Sequence, residues 1–152
     1  MCNLYGEDDN FKSNAHVIPA LIKTFSNSKD TIITLRGTGR AKRQFLHVDD
    51  LAPILINMAI DFNEPKTDHV IIASTLEYSI KQVADILSEY YKKDYIFDND
   101  TQADGQLRKY GIGIYPKEEK NLKNRLIDVC QWYEQNQGRQ RNSKTKKQQK
   151  TL

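Results

Sequence analysis

The spacing of apolar residues along this chain changes several times, and each change separates a helical segment from an extended one. Four helices are predicted. The first begins just before Pro19 and ends at Phe25, and the others span about 51–62, Ser79 to Tyr91, and about 117–137. Short apolar runs predict strands at 31–35, 43–48, 70–73 and 95–97. Helices and short strands therefore alternate, which predicts an α/β or α+β fold without a large parallel sheet.

The start of the first helix is predicted from its capping residues. Ser13 or Asn14 can accept a hydrogen bond from the first free backbone N–H groups, and Pro19 is tolerated only in a first turn. This places His16 at the N-terminal edge of the helix.

Capping signals also open the next two helices. Asp49 or Asp50 is predicted to cap the second, and Ser79 with Gln82 three residues later forms a capping box at the third. The apolar residues of the second helix that we expect to reach the core are Leu51, Ile54, Leu55, Met58 and Ile60.

Composition divides the 152 residues into a folded part and a tail. Hydrophobic residues make up only 38% of the chain, which predicts that part of it is uncovered. Residues 138–152 hold six basic and no acidic residues, so the remaining 137 carry a net charge of −3. We therefore predict one domain over 1–137 and a basic, disordered tail over 138–152.

Cysteine and hydropathy patterns exclude several classes of protein. Cys2 and Cys130 are too few for a disulfide framework, and neither lies in a CxxC or Cys/His ligand spacing, so no metal site is predicted. No apolar run reaches the length of a membrane span, and the N-terminal residues lack a secretory pattern. A reducing, cytoplasmic location is expected.

A basic cluster follows the first predicted strand. Its members are Arg36, Arg40, Lys42 and Arg43, beside Gly37 and Gly39. A guanidinium can pair with two phosphate oxygens at once, although a solvated basic turn or a nucleic-acid patch would have the same composition. The third glycine and the immediate helix of a dinucleotide-binding loop are missing, so we exclude that motif.

Other polar residues admit both a functional and a structural interpretation. His16 at a helix N-terminus is suited to proton transfer, but a surface histidine would look the same. His47, inside a strand, is predicted to be structural. Asp104 and Lys109 flank a turn that could recognise sugar hydroxyls or be plain surface.

Taken in order, the motifs resemble the C-terminal half of GDP-L-fucose synthases, which belong to the extended short-chain dehydrogenase/reductase superfamily. The segments that carry the resemblance are Asn3–Gly6, Asp9–Phe11, His16–Leu21, Gly37–Gly39, Arg43–Ala52 and Asp104–Gln106. It covers roughly residues 2–137. It implies a substrate-binding domain of an incomplete Rossmann-type protein that lacks the N-terminal nucleotide-binding sheet.

The resemblance also implies an activity and a set of site residues. The family converts GDP-4-keto-6-deoxy-D-mannose to GDP-L-fucose by epimerisation at C3 and C5 and NADPH reduction at C4. His16 would be the general acid of the epimerisations, and Arg43 would bind the GDP pyrophosphate. The implied cofactor-binding residues are Met1, Cys2, Asn3, Leu4 and His16, and the implied substrate-binding residues are Arg43, Asp104 and Lys109.

Departures from the family pattern limit what this chain is expected to do. The glycine-rich loop, the catalytic Ser and the Tyr-x-x-x-Lys pair lie upstream in the family, and this sequence has none of them in a suitable place. Arg36 stands at a commonly aromatic position, and Thr24 where a basic residue is usual. We expect a C-terminal fragment of an NADP-dependent oxidoreductase/epimerase that is inactive alone.

Two alternatives stay open. The first is a non-catalytic GDP-sugar-binding or regulatory module that pairs with a full-length subunit. The resemblance also implies a homodimer, whose contacts lie mostly in the N-terminal half of family members. The second is nucleic-acid binding through the tail, which the negative charge of the rest of the chain disfavours. No membrane partner is expected.

Overall fold

The computed structural model describes residues 3–12, 14–60, 70–116 and 121–148, with side chains described as far as residue 136. Five helices alternate with short strands in this part of the chain. The helices are α1 Val17–Asn27, α2 Val48–Ile60, α3 Ile80–Tyr91, α4 Thr101–Asp104 and α5 Leu122–Gln148. The strands are β1 Asn3–Tyr5, β2 Ile32–Leu35, β3 Lys42–Arg43, β4 Phe45–His47, β5 Tyr78–Ser79, β6 Asp94–Phe97 and β7 Arg108–Lys109.

The strands form three small sheets, in agreement with the predicted mixed α/β class. β1 pairs with β4 and β2 with β6, both in parallel. β3 lies between β5, to which it is antiparallel, and β7, to which it is parallel. Only one residue separates β3 from β4, so the chain passes from one sheet directly into another.

The core lies where α1 and α3 cover β2 and β6. Each helix turns an apolar stripe inwards, and Ile22, Phe25, Val83 and Leu87 are fully buried. β2 alternates between exposed and buried positions, as a strand covered on one face does. The loop residue Phe11 extends this core to α5, since its ring stacks on Tyr133 at a centroid distance of 4.5 Å.

The capping box predicted for α3 is confirmed. The Ser79 hydroxyl accepts the Gln82 N–H at 3.1 Å, and the Gln82 side chain accepts the Ser79 N–H at 2.8 Å. Both bonds satisfy N–H groups that the helix itself leaves without partners.

Replacing Ser79 by alanine should therefore lower the free energy of unfolding by about 1 kcal/mol. Ser79→Thr keeps a hydroxyl at the cap and should change stability little, so it is the matched control. Urea unfolding followed by circular dichroism measures both. Equal losses in the two variants would show that the cap hydroxyl contributes nothing.

The cap of α1 differs from the predicted one. His16 itself is the N-cap, with extended backbone (φ −61°, ψ 166°), and its side chain makes no capping bond. Asn14 instead takes a positive φ of 66° in the preceding loop, and Ser13 lies outside the described residues. Pro19 sits in the first turn, and His16 at the helix edge, as predicted.

α2 departs most from the sequence-based expectation. It begins at Val48, so Asp49 and Asp50 lie inside its first turn rather than at the cap. None of its residues is buried, and Leu55, Ile56 and Ile60 are exposed. The prediction that its apolar residues reach the core is wrong, because nothing in the described part of the chain covers that face. Its predicted end near Asn63 lies outside the described residues.

The segment 70–73 forms one β-bridge instead of the predicted strand. Ile72 pairs in parallel with Ile114, and Ile114 donates its N–H to the Ile71 carbonyl at 2.8 Å. Gly113 permits this approach, since a Cβ there would lie 2.1 Å from the Ile71 oxygen.

α5 buries Leu122, Leu126, Val129 and Cys130, as predicted, and continues to Gln148. This end is eleven residues beyond the predicted one at Gln137, and it agrees with the good helix propensity of Gln, Lys and Arg. Disorder of the basic tail stays a prediction. Among the described residues, no helix has the length and apolarity to cross a bilayer.

Candidate functional site

A tight turn at Gly37–Gly39 anchors the candidate substrate residue Asp104. Gly37 has a φ of +100°, and a Cβ there would lie 2.7 Å from Asp104 Oδ1. The Thr38 N–H donates to Asp104 Oδ1 at 2.9 Å, and the Thr38 hydroxyl donates to Oδ2. The carboxylate therefore closes over the turn and joins the end of α4 to the end of β2.

Hydrogen bonding makes Asp104 a stable anion. The bonds from the Thr38 hydroxyl and N–H hold the pKa of this carboxyl below its usual value, and the charges of Arg40 and Arg43 act in the same direction. Because each oxygen already accepts a bond from Thr38, fewer lone pairs are left for a sugar hydroxyl. Asp104 thus shapes the turn in addition to any contact with a ligand.

Arg43 lies on β3, next to this turn. Its Nη2 donates to the Asp104 carbonyl at 3.3 Å and its Nη1 to the Lys42 carbonyl at 2.7 Å. These bonds to neutral carbonyls orient the guanidinium without neutralising it. Its charge stays available to an anion.

The register of β3 and β7 places Lys109, the third candidate substrate-binding residue, beside Arg43. Arg43 and Lys109 are direct partners across the parallel pair, and Lys42 is opposite Arg108. Arg108 forms an ion pair with Glu77 at 2.9 Å, so its charge is already balanced, whereas Lys109 lies in the exposed strand β7 and has no ion pair among the described residues. The structure thus brings Arg43, Asp104 and Lys109 together, although Asp104 and Lys109 are more than sixty residues beyond Arg43.

The candidate cofactor residues lie on other elements. His16 is exposed at the start of α1, with its imidazole free of capping bonds. Leu4 is 44% exposed on β1, and the Asn3 amide donates to the Gln44 carbonyl at 3.3 Å. Met1 and Cys2 lie outside the described residues.

A buried charge network that sequence analysis missed links α2 to α5. Arg125 donates to Asp49 Oδ2 at 3.0 Å and to Asp50 Oδ1 at 2.5 Å. The guanidinium side chain is only 9% exposed. No local pattern could reveal this pairing, because it joins residues 75 positions apart.

His47 lies beside this network, and its burial agrees with the structural role predicted for it. Its Nδ1 accepts the Asp49 N–H at 3.2 Å, and its Nε2 lies 3.3 Å from Glu7 Oε2. The ring is fully buried. Burial and, second, the positive charge of Arg125 lower the pKa of His47, despite the opposing carboxylates.

Potential metal ligands in this region are already engaged. Ligand atoms of Glu7, His47 and Asp49 lie within 4.8 Å of one another. However, Asp49 is paired with Arg125, and His47 Nδ1 already accepts the Asp49 N–H. Because two of the three groups have protein partners, we assign no metal to this cluster.

The lowered pKa of His47 predicts a pH dependence of stability. Below a pH of about 6.5 the unfolded chain takes up a proton that the folded ring resists, so stability falls as pH drops through that value. Urea unfolding between pH 7.5 and 5.5 should show this loss in the wild-type protein, at most about 1.4 kcal/mol per pH unit.

His47→Gln is the control because glutamine does not titrate. Its stability should fall less steeply over the same range, whatever its absolute value. Parallel pH profiles for the two proteins would contradict the assignment of the slope to His47.

The chain matches known proteins over most of its length. The profile of the NAD dependent epimerase/dehydratase family matches residues 1–73. The chain is 34% identical over 148 residues to a protein named putative GDP-L-fucose synthase 2 of Arabidopsis thaliana, covering 88% of this chain and 43% of that one. It is 32% identical over 159 residues to the GDP-L-fucose synthase of Escherichia coli K12, covering 90% and 48%.

Solved structures show the same relationship. A GDP-L-fucose synthetase from Naegleria fowleri bound to NADP superposes with a TM-score of 0.74 at 25% identity, covering 90% of this chain and 46% of that one. UDP-glucose 4-epimerase from Thermotoga maritima, at 16% identity, shares the fold with a TM-score of 0.68. The fold is therefore that of part of an extended short-chain dehydrogenase, and the chain spans less than half the length of the curated relatives it matches.

Proposed function

This chain is a relative of the GDP-L-fucose synthases within the NAD dependent epimerase/dehydratase family, and on that premise we propose that it provides the substrate side of the same reaction. The reaction converts GDP-4-keto-6-deoxy-D-mannose to GDP-L-fucose by 3,5-epimerisation and NADP-dependent reduction at C4. The observation that carries the proposal is the β3–β7 register, which sets Arg43 beside Lys109 at the turn held by Asp104.

Arg43 is the group that binds the GDP pyrophosphate. Its planar fork can donate to two phosphate oxygens, and the two groups that it bonds are uncharged backbone carbonyls. Lys109 adds a second positive charge across the strand pair. Together they supply two cations for the two phosphates of GDP.

Asp104 has a supporting and a binding role. Its bonds to Thr38 keep the turn closed next to the phosphates, and its carbonyl holds the guanidinium of Arg43. A ribose or sugar hydroxyl can use the remaining carboxylate lone pairs. The bonds from Thr38 orient this carboxylate but keep it ionised, so it would bind a hydroxyl group and not contact a phosphate directly.

His16 is the proton-transfer residue that this chain contributes. Its ring is exposed and free of capping bonds, so a ring nitrogen can hold a proton and return it to a sugar carbon after deprotonation. The base for that deprotonation, and the Ser, Tyr and Lys of the reduction, are not supplied by this sequence. We therefore expect the 152-residue chain to be inactive on its own.

The residues present fit only one end of NADP. Exposed Leu4 and His16 are the candidates to line a nicotinamide ring, whereas the Asn3 amide is bonded to the Gln44 carbonyl. No glycine-rich phosphate loop occurs in the sequence to hold the rest of the dinucleotide. When bound, NADPH supplies the hydride for the C4 ketone; this chain contributes apolar contact and exclusion of water at that end.

Turnover assays test the proposal. The purified 152-residue chain, mixed with GDP-4-keto-6-deoxy-D-mannose and NADPH, should oxidise no NADPH above the buffer rate. Addition of full-length E. coli GDP-L-fucose synthase to the same mixture is the positive control for the reagents. Measurable NADPH oxidation by the chain alone would overturn the proposed division of roles.

A second candidate function is a GDP-sugar-binding module that pairs with a full-length subunit, and the uncovered face of α2 favours it. Leu55, Ile56 and Ile60 expose apolar area next to one another on that helix, a type of surface that usually contacts protein. Co-elution of the chain with a full-length synthase in gel filtration would support it, and Ile56→Glu should abolish co-elution. Ile32→Glu, at an equally apolar exposed site on β2, is the control. A homodimer of this chain and a cytoplasmic location belong to the same set of proposals.

A further inference from the structure

Gln44 is the single residue between two sheets. The preceding residue, Arg43, belongs to the sheet of β5, β3 and β7, and the following residue, Phe45, belongs to the sheet of β1 and β4. Gln44 is only 1% exposed, which is rare for a glutamine. A buried amide is tolerated when its donors and acceptor are hydrogen-bonded.

The side chain of Gln44 bonds to two distant backbone segments. Its Nε2 donates to the Ser74 carbonyl at 2.7 Å and to the Gly111 carbonyl at 3.1 Å. Its Oε1 accepts the Gly111 N–H at 2.7 Å. Both donors and the acceptor of the amide are thus engaged, and Gly111, two residues after Lys109, is held from both sides.

The backbone of Gln44 reaches in the other direction. Its carbonyl accepts the Asn3 N–H at 2.9 Å and the Asn3 side-chain amide at 3.3 Å. One residue therefore ties β1 to the end of β3, and its side chain ties the end of β3 to the segment after β7. These are the elements that carry the proposed cofactor-facing and phosphate-binding residues.

We propose that Gln44 is a positioning residue, which sets the place of Arg43 and Lys109 relative to β1 and so fixes where the GDP-sugar lies along the site. This inference rests on the proposed function. A substrate held at its pyrophosphate reacts at its sugar, and displacement of a reacting group by about 1 Å can lower a rate by about 100-fold. A rigid joint between the two ends meets that demand, because the side-chain amide and the carbonyl of buried Gln44 are all hydrogen-bonded.

The inference is tested with GDP as the probe and isothermal calorimetry of four proteins. They are the wild-type chain, Gln44→Leu, Arg43→Gln and the double variant. Leucine keeps the approximate size of the side chain and removes all three side-chain bonds. Gln44→Leu should weaken GDP binding about tenfold in the wild-type background and no more than about twofold in the Arg43→Gln background, because in the latter Arg43 is no longer there to be placed beside Lys109. Gln131→Leu, at an exposed position of α5, should leave affinity unchanged.

Three outcomes would contradict the positioning role of Gln44 or the proposed GDP site. A tenfold loss in both backgrounds would show general damage to the fold, and an unchanged affinity in Gln44→Leu would show that the joint is not needed; either overturns the inference. If the wild-type chain does not bind GDP, the proposed function itself fails. That outcome differs from a wild-type chain that binds GDP and loses the same factor of affinity on Gln44→Leu in both backgrounds.

Gln44→Glu keeps the inference testable if the leucine variant does not fold. A neutral carboxyl can still donate to Ser74 or Gly111, but an ionised one cannot, and it would face two carbonyl oxygens. The ratio of its dissociation constant for GDP to that of the wild-type chain should therefore rise with pH. A ratio that is constant from pH 5 to pH 8 would overturn the inference.

Discussion

Replacement of Arg125 by methionine should lower the free energy of unfolding by about 3 kcal/mol. The substitution keeps the apolar stem of the side chain and removes its charge. Asp50, whose side chain is only 6% exposed, would then be a buried carboxylate without a cation. Asp49 is 62% exposed and can return to water, so it contributes little of the loss.

Lys123→Met is the matched control on the same helix. Lys123 pairs with Glu89 at 2.8 Å, but both side chains are largely exposed, so its loss should be below about 1 kcal/mol. Urea unfolding at pH 7 measures both variants. Similar losses in the two would contradict the claim that the Arg125 pairs hold α5 against α2.

Replacement of Arg43 by glutamine should weaken GDP binding by about 30- to 100-fold, or about 2–3 kcal/mol. Glutamine retains a polar side chain but removes the charge and the paired donors that a pyrophosphate would use. Lys109 would remain, so we expect weaker binding rather than none. Calorimetric titration with GDP at low and moderate salt gives the comparison.

Arg36→Gln is the control for general attraction between GDP and basic residues. Arg36 lies in the same stretch, but its side chain is 76% exposed and already paired with Asp100 at 3.1 Å. We expect less than a threefold change, because such exposed charges are screened by salt. Equal losses in the two variants would show that GDP responds to the charge of the whole loop rather than to Arg43.

Local signals in the sequence were sufficient for much of the fold. The capping box at Ser79 and the restriction of Pro19 to a first turn depend only on neighbours along the chain, and both are observed. The buried residues of α1, α3 and α5 follow from helical spacing for the same reason. Such patterns state which face of an element is apolar.

They do not state what covers that face. α2 has a regular apolar stripe, yet Leu55, Ile56 and Ile60 are exposed in this chain. The segment 70–73 has a strand-like composition but, among the described residues, pairs through a single bridge to Ile114. Both errors have the same cause. Burial of an apolar face requires a second element that packs on it, and the sequence pattern of one element does not show whether such a partner is present.

The candidate site depends even more on distant contacts. Arg43 and Lys109 were implied separately by resemblance, and only the β3–β7 register shows that they are adjacent. Gln44 and Arg125 carried no local signal, because their partners lie 67 and 76 positions away. The engagement of Asp104 with Thr38 was missed for the same reason.

We propose that this chain holds the GDP-sugar side of the site without the dinucleotide side. Calorimetric titration of the 152-residue chain with GDP, and separately with NADPH under the same conditions, tests it most directly. We predict one GDP site per chain with a dissociation constant between roughly 10 µM and 1 mM, and no measurable heat with NADPH. No binding of GDP, or binding of NADPH more tightly than GDP, would contradict the account.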